Sequence, residues 1–165
     1  LGLSARFQGR FTDAREQFAV LLPIFSAMGD NHRANMIHSE EGHMERLEGH
    51  YEKATEIYRT TIVEWKRLGH RAAVANQLEC FAFIAKIQEQ PERAAKFFGA
   101  AEIIREIINI PMNSMEQQEY DREVKELRAG MNEIVFNNLW SEGRAMSLEQ
   151  AVEYAIGGRE SGDRD

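Results

Sequence analysis

Apolar and polar residues through the first 110 positions alternate with the three-to-four spacing of amphipathic helices, and the pattern repeats. Gly9, Phe11, Ala14 and Phe18 are followed at an offset of 40 by Gly49, Tyr51, Ala54 and Tyr58, and at a second such offset by Pro91, Ala94 and Phe98. Gly29, Gly69 and Asn109, all tolerant of left-handed backbone, share another register, as do the trios Gly2, Gly42, Ala82 and Phe7, Leu47, Ile87. The pattern predicts three helical pairs. The first helix of each ends near residue 8, 48 or 88, a tight turn follows at Gly9, Gly49 or Gln90 and Pro91, and the second helix covers about 11–28, 51–68 or 91–108. A pair of amphipathic helices cannot bury its apolar faces alone, so consecutive pairs are expected to stack into a superhelix. Ala54 falls where the two helices of a pair should cross.

After Pro111 the period lapses, as it does where an array must turn a polar face to water. Ser114 and Gln117 read as a capping box opening a helix to about Ala129. A second helix, from about Asn132 to Glu142, carries Ile134, Val135, Phe136, Leu139 and Trp140, and a second capping box at Ser147 and Gln150 opens a short helix from Leu148 to Ile156. The expected organisation is repeats over 1–110, capping helices over 111–157 and a mobile tail over 158–165.

Composition narrows the function. Net charge is −7 with a pI near 5.3, which argues against direct nucleic-acid binding, since such affinity comes largely from clustered Lys and Arg. The single Cys80 allows no intrachain disulfide and no thiol-rich metal site. No apolar run approaches the roughly 20 residues that span a bilayer, so a cytoplasmic chain with no membrane partner is expected. The start at Leu1, inside a helical pattern and without Met, reads as a piece of a longer protein.

The spacing Gly42, Gly49, Tyr51, Ala54, Tyr58 resembles the tetratricopeptide signature. The first copy matches as Gly2, Gly9, Phe11, Ala14, Phe18, and the third as Ala82, Glu89, Pro91, Ala94, Phe98, with Glu89 the departure. The family's period is near 34, so 40 implies longer helices. With the segments 99–106 and 140–155, the chain is similar to the C-terminal repeat region of large bacterial regulators that join an ATPase module to a LuxR-type DNA-binding domain or a nucleotide cyclase. The resemblance implies an all-α, tetratricopeptide-like superhelix serving signalling or transcription regulation as a scaffold or sensor segment. It also implies an inner face lined by Met36, Ser39, His43, Arg46, Asn76, Glu79, Phe83 and Lys86, though the carboxylate clamp of chaperone-binding repeats is not reproduced. Glu41 stands where the family more often has a Leu-like residue.

Candidate chemistry is sparse. His38, Glu41 and Glu45 share one helical stripe at i, i+3 and i+7, a spacing that could gather a metal or support acid–base work but reads first as a solvated or mutually hydrogen-bonded face. His38 and His43 are five apart, off the i, i+4 zinc spacing. No serine lies in a glycine elbow, and no Gly-rich loop ends in Lys-Ser or Lys-Thr. The expectation is therefore a non-enzymatic chain without cofactor or metal. Its partner is a protein, a peptide or another domain of the same parent, with a homodimer through the N-terminal end where Leu1, Leu3 and the helix from Phe11 to Met28 lack a neighbour. The rival reading is a small-ligand sensor with a pocket inside the superhelix.

Overall fold

The computed structural model describes residues 2–157, so Leu1 and the tail at 158–165 lie outside the described residues. Helices α1 (Gly2–Phe7), α2 (Phe11–Ala27), α3 (Asn31–Leu47) and α4 (Tyr51–Arg67) belong to one compact unit, which runs to Leu68. Helices α5 (Arg71–Ile87), α6 (Pro91–Ile108), α7 (Ser114–Ala129), α8 (Glu133–Arg144) and α9 (Leu148–Ile156) belong to a second. No strand occurs among the described residues. The starts of α2, α4 and α6 are 40 residues apart, and so are those of α3 and α5, as the glycine and aromatic register predicts.

The turns explain this regularity. Positive φ occurs at Gly9, Gly29, Gly49, Gly69, Glu89 and Asn109, one residue in every twenty. At Gly49 the amide donates to the Arg46 carbonyl (3.1 Å) and the next amide, of His50, donates to the Glu45 carbonyl (2.9 Å). These two bonds satisfy carbonyls that a helix end leaves without partners. The same pair recurs at Gly9, at Gly29 and at Glu89. Glu89 is the one residue of the five inter-helix turns from α1 to α6 that carries a side chain through the left-handed region, at φ 58°.

In the first unit, α3 packs on both α2 and α4. Ala5, Ala14, Phe18, Ile37 and Met44 form a core with Phe11, Leu22 and Phe25 against it, and Ala54, Tyr58, Ile62 and Trp65 are also buried. The two glycines that precede an aromatic by sixteen residues are there for space. A Cβ on Gly2 would stand 2.6 Å from the Phe18 ring, and one on Gly42 would stand 2.7 Å from the Tyr58 ring. Ala54 has no exposed surface. Ala54→Leu should therefore overpack this site and cost about 1–3 kcal/mol, read as a lowered denaturation midpoint with an unchanged slope.

In the second unit, α5 and α6 form the central pair, α8 packs along α6, and α9 rests on both. Aromatic contacts join these helices: Phe81 with Phe97 (5.5 Å between ring centroids), Phe97 with Tyr154 (4.9 Å), Phe83 with Phe98 (5.6 Å) and Phe98 with Trp140 (6.2 Å). The closest approach is between α6 and α8. A Cβ on Gly99 would lie 2.2 Å from the Trp140 carbonyl oxygen, and one on Gly143 would lie 2.1 Å from that of Lys96, so here backbone meets backbone. Arg144 locks the same crossing by pairing with Glu102 and Glu106, and Trp140 Nε1 donates to Glu102 (2.7 Å).

One cap expectation shifts by one residue. Asn113 rather than Ser114 caps α7, its side-chain oxygen accepting from the Met115 and Glu116 amides, and Asn132 caps α8 in the same way. The capping box at Ser147 and Gln150 forms as read. On α8, Phe136 is buried but Ile134 and Val135 are exposed.

Candidate functional site

Of the stripe marked in the sequence, α3 carries Met36, Ser39, His43 and Arg46. Ser39 and His43 are turned into the first unit and are buried, whereas Met36 and Arg46 are half-buried. Ser39 Oγ donates to the Asn35 carbonyl (2.9 Å) and accepts from Trp65 Nε1 (2.8 Å). Asn35 Nδ2 donates to the Thr61 carbonyl (3.1 Å), and His43 Nδ1 shares a hydrogen bond with the Tyr58 hydroxyl (2.9 Å). These bonds form a polar ladder between α3 and α4. Buried polar groups are costly without such partners, which is why the tryptophan and tyrosine of α4 lie opposite the serine and histidine of α3.

Burial, followed by the positive charges of Arg6 and Arg46, holds the His43 imidazole well below its ordinary pKa, so it is neutral. An unfolded chain takes up a proton at this histidine below about pH 6.5, while the folded chain does not. The unfolded state then binds more protons, and stability must fall as pH falls through that value, by up to about 1.4 kcal/mol per pH unit. His43→Gln should remove this component. Its stability deficit against the unaltered chain, measured by urea unfolding, should shrink between pH 7 and pH 5.

Charged groups in this unit are engaged with one another. Arg6 pairs with Glu40. Glu45, a buried carboxylate, accepts from His50 (2.8 Å), Lys53 (2.9 Å) and Arg15 (3.1 Å), and Arg15 also pairs with Glu48. Burial would raise the Glu45 pKa, but the hydrogen bonds from Lys53 and His50 outweigh it and hold the carboxyl below its usual range. Among the described residues, Glu45, Glu48 and His50 gather ligand-type atoms within 4.8 Å of one another. Both oxygens of Glu45 already face nitrogen donors there, so the cluster is an ion-pair network. His38 pairs separately with Glu41 (3.2 Å), and Glu45 does not join them as a triad.

On α5 the stripe continues as Asn76, Glu79, Phe83 and Lys86. Asn76 is half-buried, while Glu79 is 3 % exposed and holds Arg105 of α6 through both carboxylate oxygens. Phe83 stands edge-on to Phe98. Lys86 reaches α7, where Glu123 (2.6 Å) and Glu126 accept from its ammonium group. Glu79 and Phe83 thus meet α6 and Lys86 meets α7, a juxtaposition that helical spacing alone did not reveal. The only sequence signal for it is the acidic row Glu116, Glu119, Glu123 and Glu126 on one side of α7. No family model, no curated protein and no solved structure matches this chain.

Proposed function

We propose that the chain is a tetratricopeptide-like repeat scaffold that binds a protein or peptide partner, without catalytic chemistry of its own, as a regulatory segment of a larger bacterial signalling or transcription regulator. The observation that carries this reading is the recurrence of helix boundaries, turn geometry and small-residue-to-aromatic packing at 40 residues. Such arrays offer extended surfaces rather than a closed active site. The carboxylates and bases of the marked stripe support the same reading, because Glu79 and Lys86 are held in ion pairs and His43 is buried and neutral. Met36, Arg46 and Asn76 remain half-exposed and are the positions assigned to partner contact.

A photo-crosslinking residue placed at Met36, or separately at Asn76, in the native host tests this. The expected result is one discrete crosslinked protein, lost on Arg46→Glu in the Met36 case, and no such species from the exposed control position Glu52. Crosslinking no more specific than at Glu52 would reject the scaffold reading, and recovery of a small molecule instead would favour a ligand sensor.

A further inference from the structure

α7 differs from the other helices of its unit in how it is held. It lies between two anchored points: α6 before it, and α8, fixed to α6 by the Gly99 and Gly143 contact, after it. Of its residues only Leu127 is buried. Its attachment includes a short row on one face: Tyr120 edge-on to Phe98 (5.4 Å), then Glu123 and Glu126 on Lys86. Near its C-terminus, Arg128 donates to Asn137 (3.1 Å) and lies over the Phe136 ring (4.7 Å).

Charge in this seat is mixed, since Glu116 lies in the field of Glu79 and also of Arg105, the partner of Glu79. Glu116 and Glu119 act on the buried Glu79 and help to keep its carboxyl pKa raised, after burial itself. Burial first, then Glu102 and Glu79, likewise push the Tyr120 phenol upward. A helix with one buried residue belongs to the low-stability end of a structure and opens before its neighbours.

We propose that α7 is a displaceable strap, a self-ligand covering a face of α5 and α6 that accepts an acidic amphipathic helix from a partner protein. The face offers Lys86 and Phe98. The helix that fits it places an aromatic residue and two carboxylates at i, i+3 and i+6, as Tyr120, Glu123 and Glu126 do, along one side. Charge complementarity sets the rest of its chemistry. Lys86 selects carboxylates at these positions, and a partner helix that buries more apolar area on this face than α7, with its one buried residue, outcompetes the strap. Both ends of α7 stay anchored, so it can swing aside without breaking the crossing of α6 and α8. This inference rests on the scaffold reading and names the ligand class for its α5 portion.

The test uses the full chain with its strap released by Tyr120→Ser, Glu123→Gln and Glu126→Gln, and a fluorescent peptide of residues 112–131 in the native sequence as probe. At low salt the peptide should bind the released chain at least ten-fold more tightly than the unaltered chain. Lys86→Glu in the released chain should weaken binding at least ten-fold, and a peptide with Lys at 123 and 126 should restore it. Equal binding to released and unaltered chains, or no effect of Lys86→Glu, would overturn the proposal. So would loss of helix content well beyond the sixteen residues of α7, since α7 would then be integral to the fold. Failed peptide binding with crosslinking retained at Met36 and Asn76 rejects the strap alone, whereas peptide binding with no crosslinked partner rejects the scaffold reading.

Discussion

Gly143→Val should destabilise the chain by about 3 kcal/mol or more, and Gly99→Val by a similar amount. In an isolated helix, replacing glycine by a residue with a Cβ is favourable; Ala, for instance, gains about 1 kcal/mol. Here the sign reverses, because the new carbon would sit 2.1 Å from the Lys96 carbonyl oxygen or 2.2 Å from that of Trp140. Neither obstacle is a side chain that could rotate away, so α8 must lift off α6 and strain the Arg144 pairs with Glu102 and Glu106. Even Gly143→Ala should be destabilising. The double substitution should cost less than the sum, since the first already opens the crossing that the second would obstruct. Gly130→Ala is the control: its added carbon meets nothing nearer than 3.6 Å, and the backbone there is ordinary right-handed helix, so it should be neutral or stabilising by up to about 1 kcal/mol. Urea unfolding of the four single variants and the double variant checks the set.

The second large effect belongs to Glu79 and Arg105. Removing the carboxylate by Glu79→Leu leaves a largely desolvated guanidinium without its fork partner, and breaking a buried pair in this way costs about 3–5 kcal/mol. Arg105→Leu should be comparably harmful, because Glu79 would remain buried beside the like charges of Glu116 and Glu119. Replacing both by Leu should recover most of the loss, since two charges are then removed from a site that solvates them poorly. A double-mutant cycle in which the paired substitution is as damaging as the two single ones together would show that the pair acts through something other than mutual compensation.

The repeat was legible in the sequence because its determinants are local. Gly9, Gly49 and Gly69 announce left-handed turns, and Phe11, Tyr51 and Pro91 open the helices that follow, so element boundaries could be placed to within a residue or two. Glu89 was readable only as a weak member of its set. It adopts a left-handed backbone because the flanking helices, α5 and α6, fix the place where the chain must reverse. Asn113 and Ser114 are both good caps, and neighbouring candidates of equal chemistry cannot be ranked by pattern. The site was harder. Periodicity assigns Ser39, His43, Glu79 and Phe83 to one face of their helices but does not say what covers that face. Trp65, Tyr58, Arg105 and Phe98 do, from 15 to 26 residues away. Ion pairs such as Arg6 with Glu40 and Lys86 with Glu126 join residues 34 and 40 positions apart, and no local rule selects such partners.

The contacts of α5 with α9 impose an order of events on synthesis. The core of the unit of α1 to α4 has all its residues once Leu68 has been made. That of α5 and α6 does not. Phe97 meets Tyr154, and Gly99 meets the backbone at Trp140, so both wait for residues about 40 to 60 positions downstream. At translation speeds of 5–20 residues per second the interval from Ile108 to Ile156 lasts roughly 2–10 s. During that time the parts of α6 that Tyr154 and the Trp140 backbone later cover are without those neighbours.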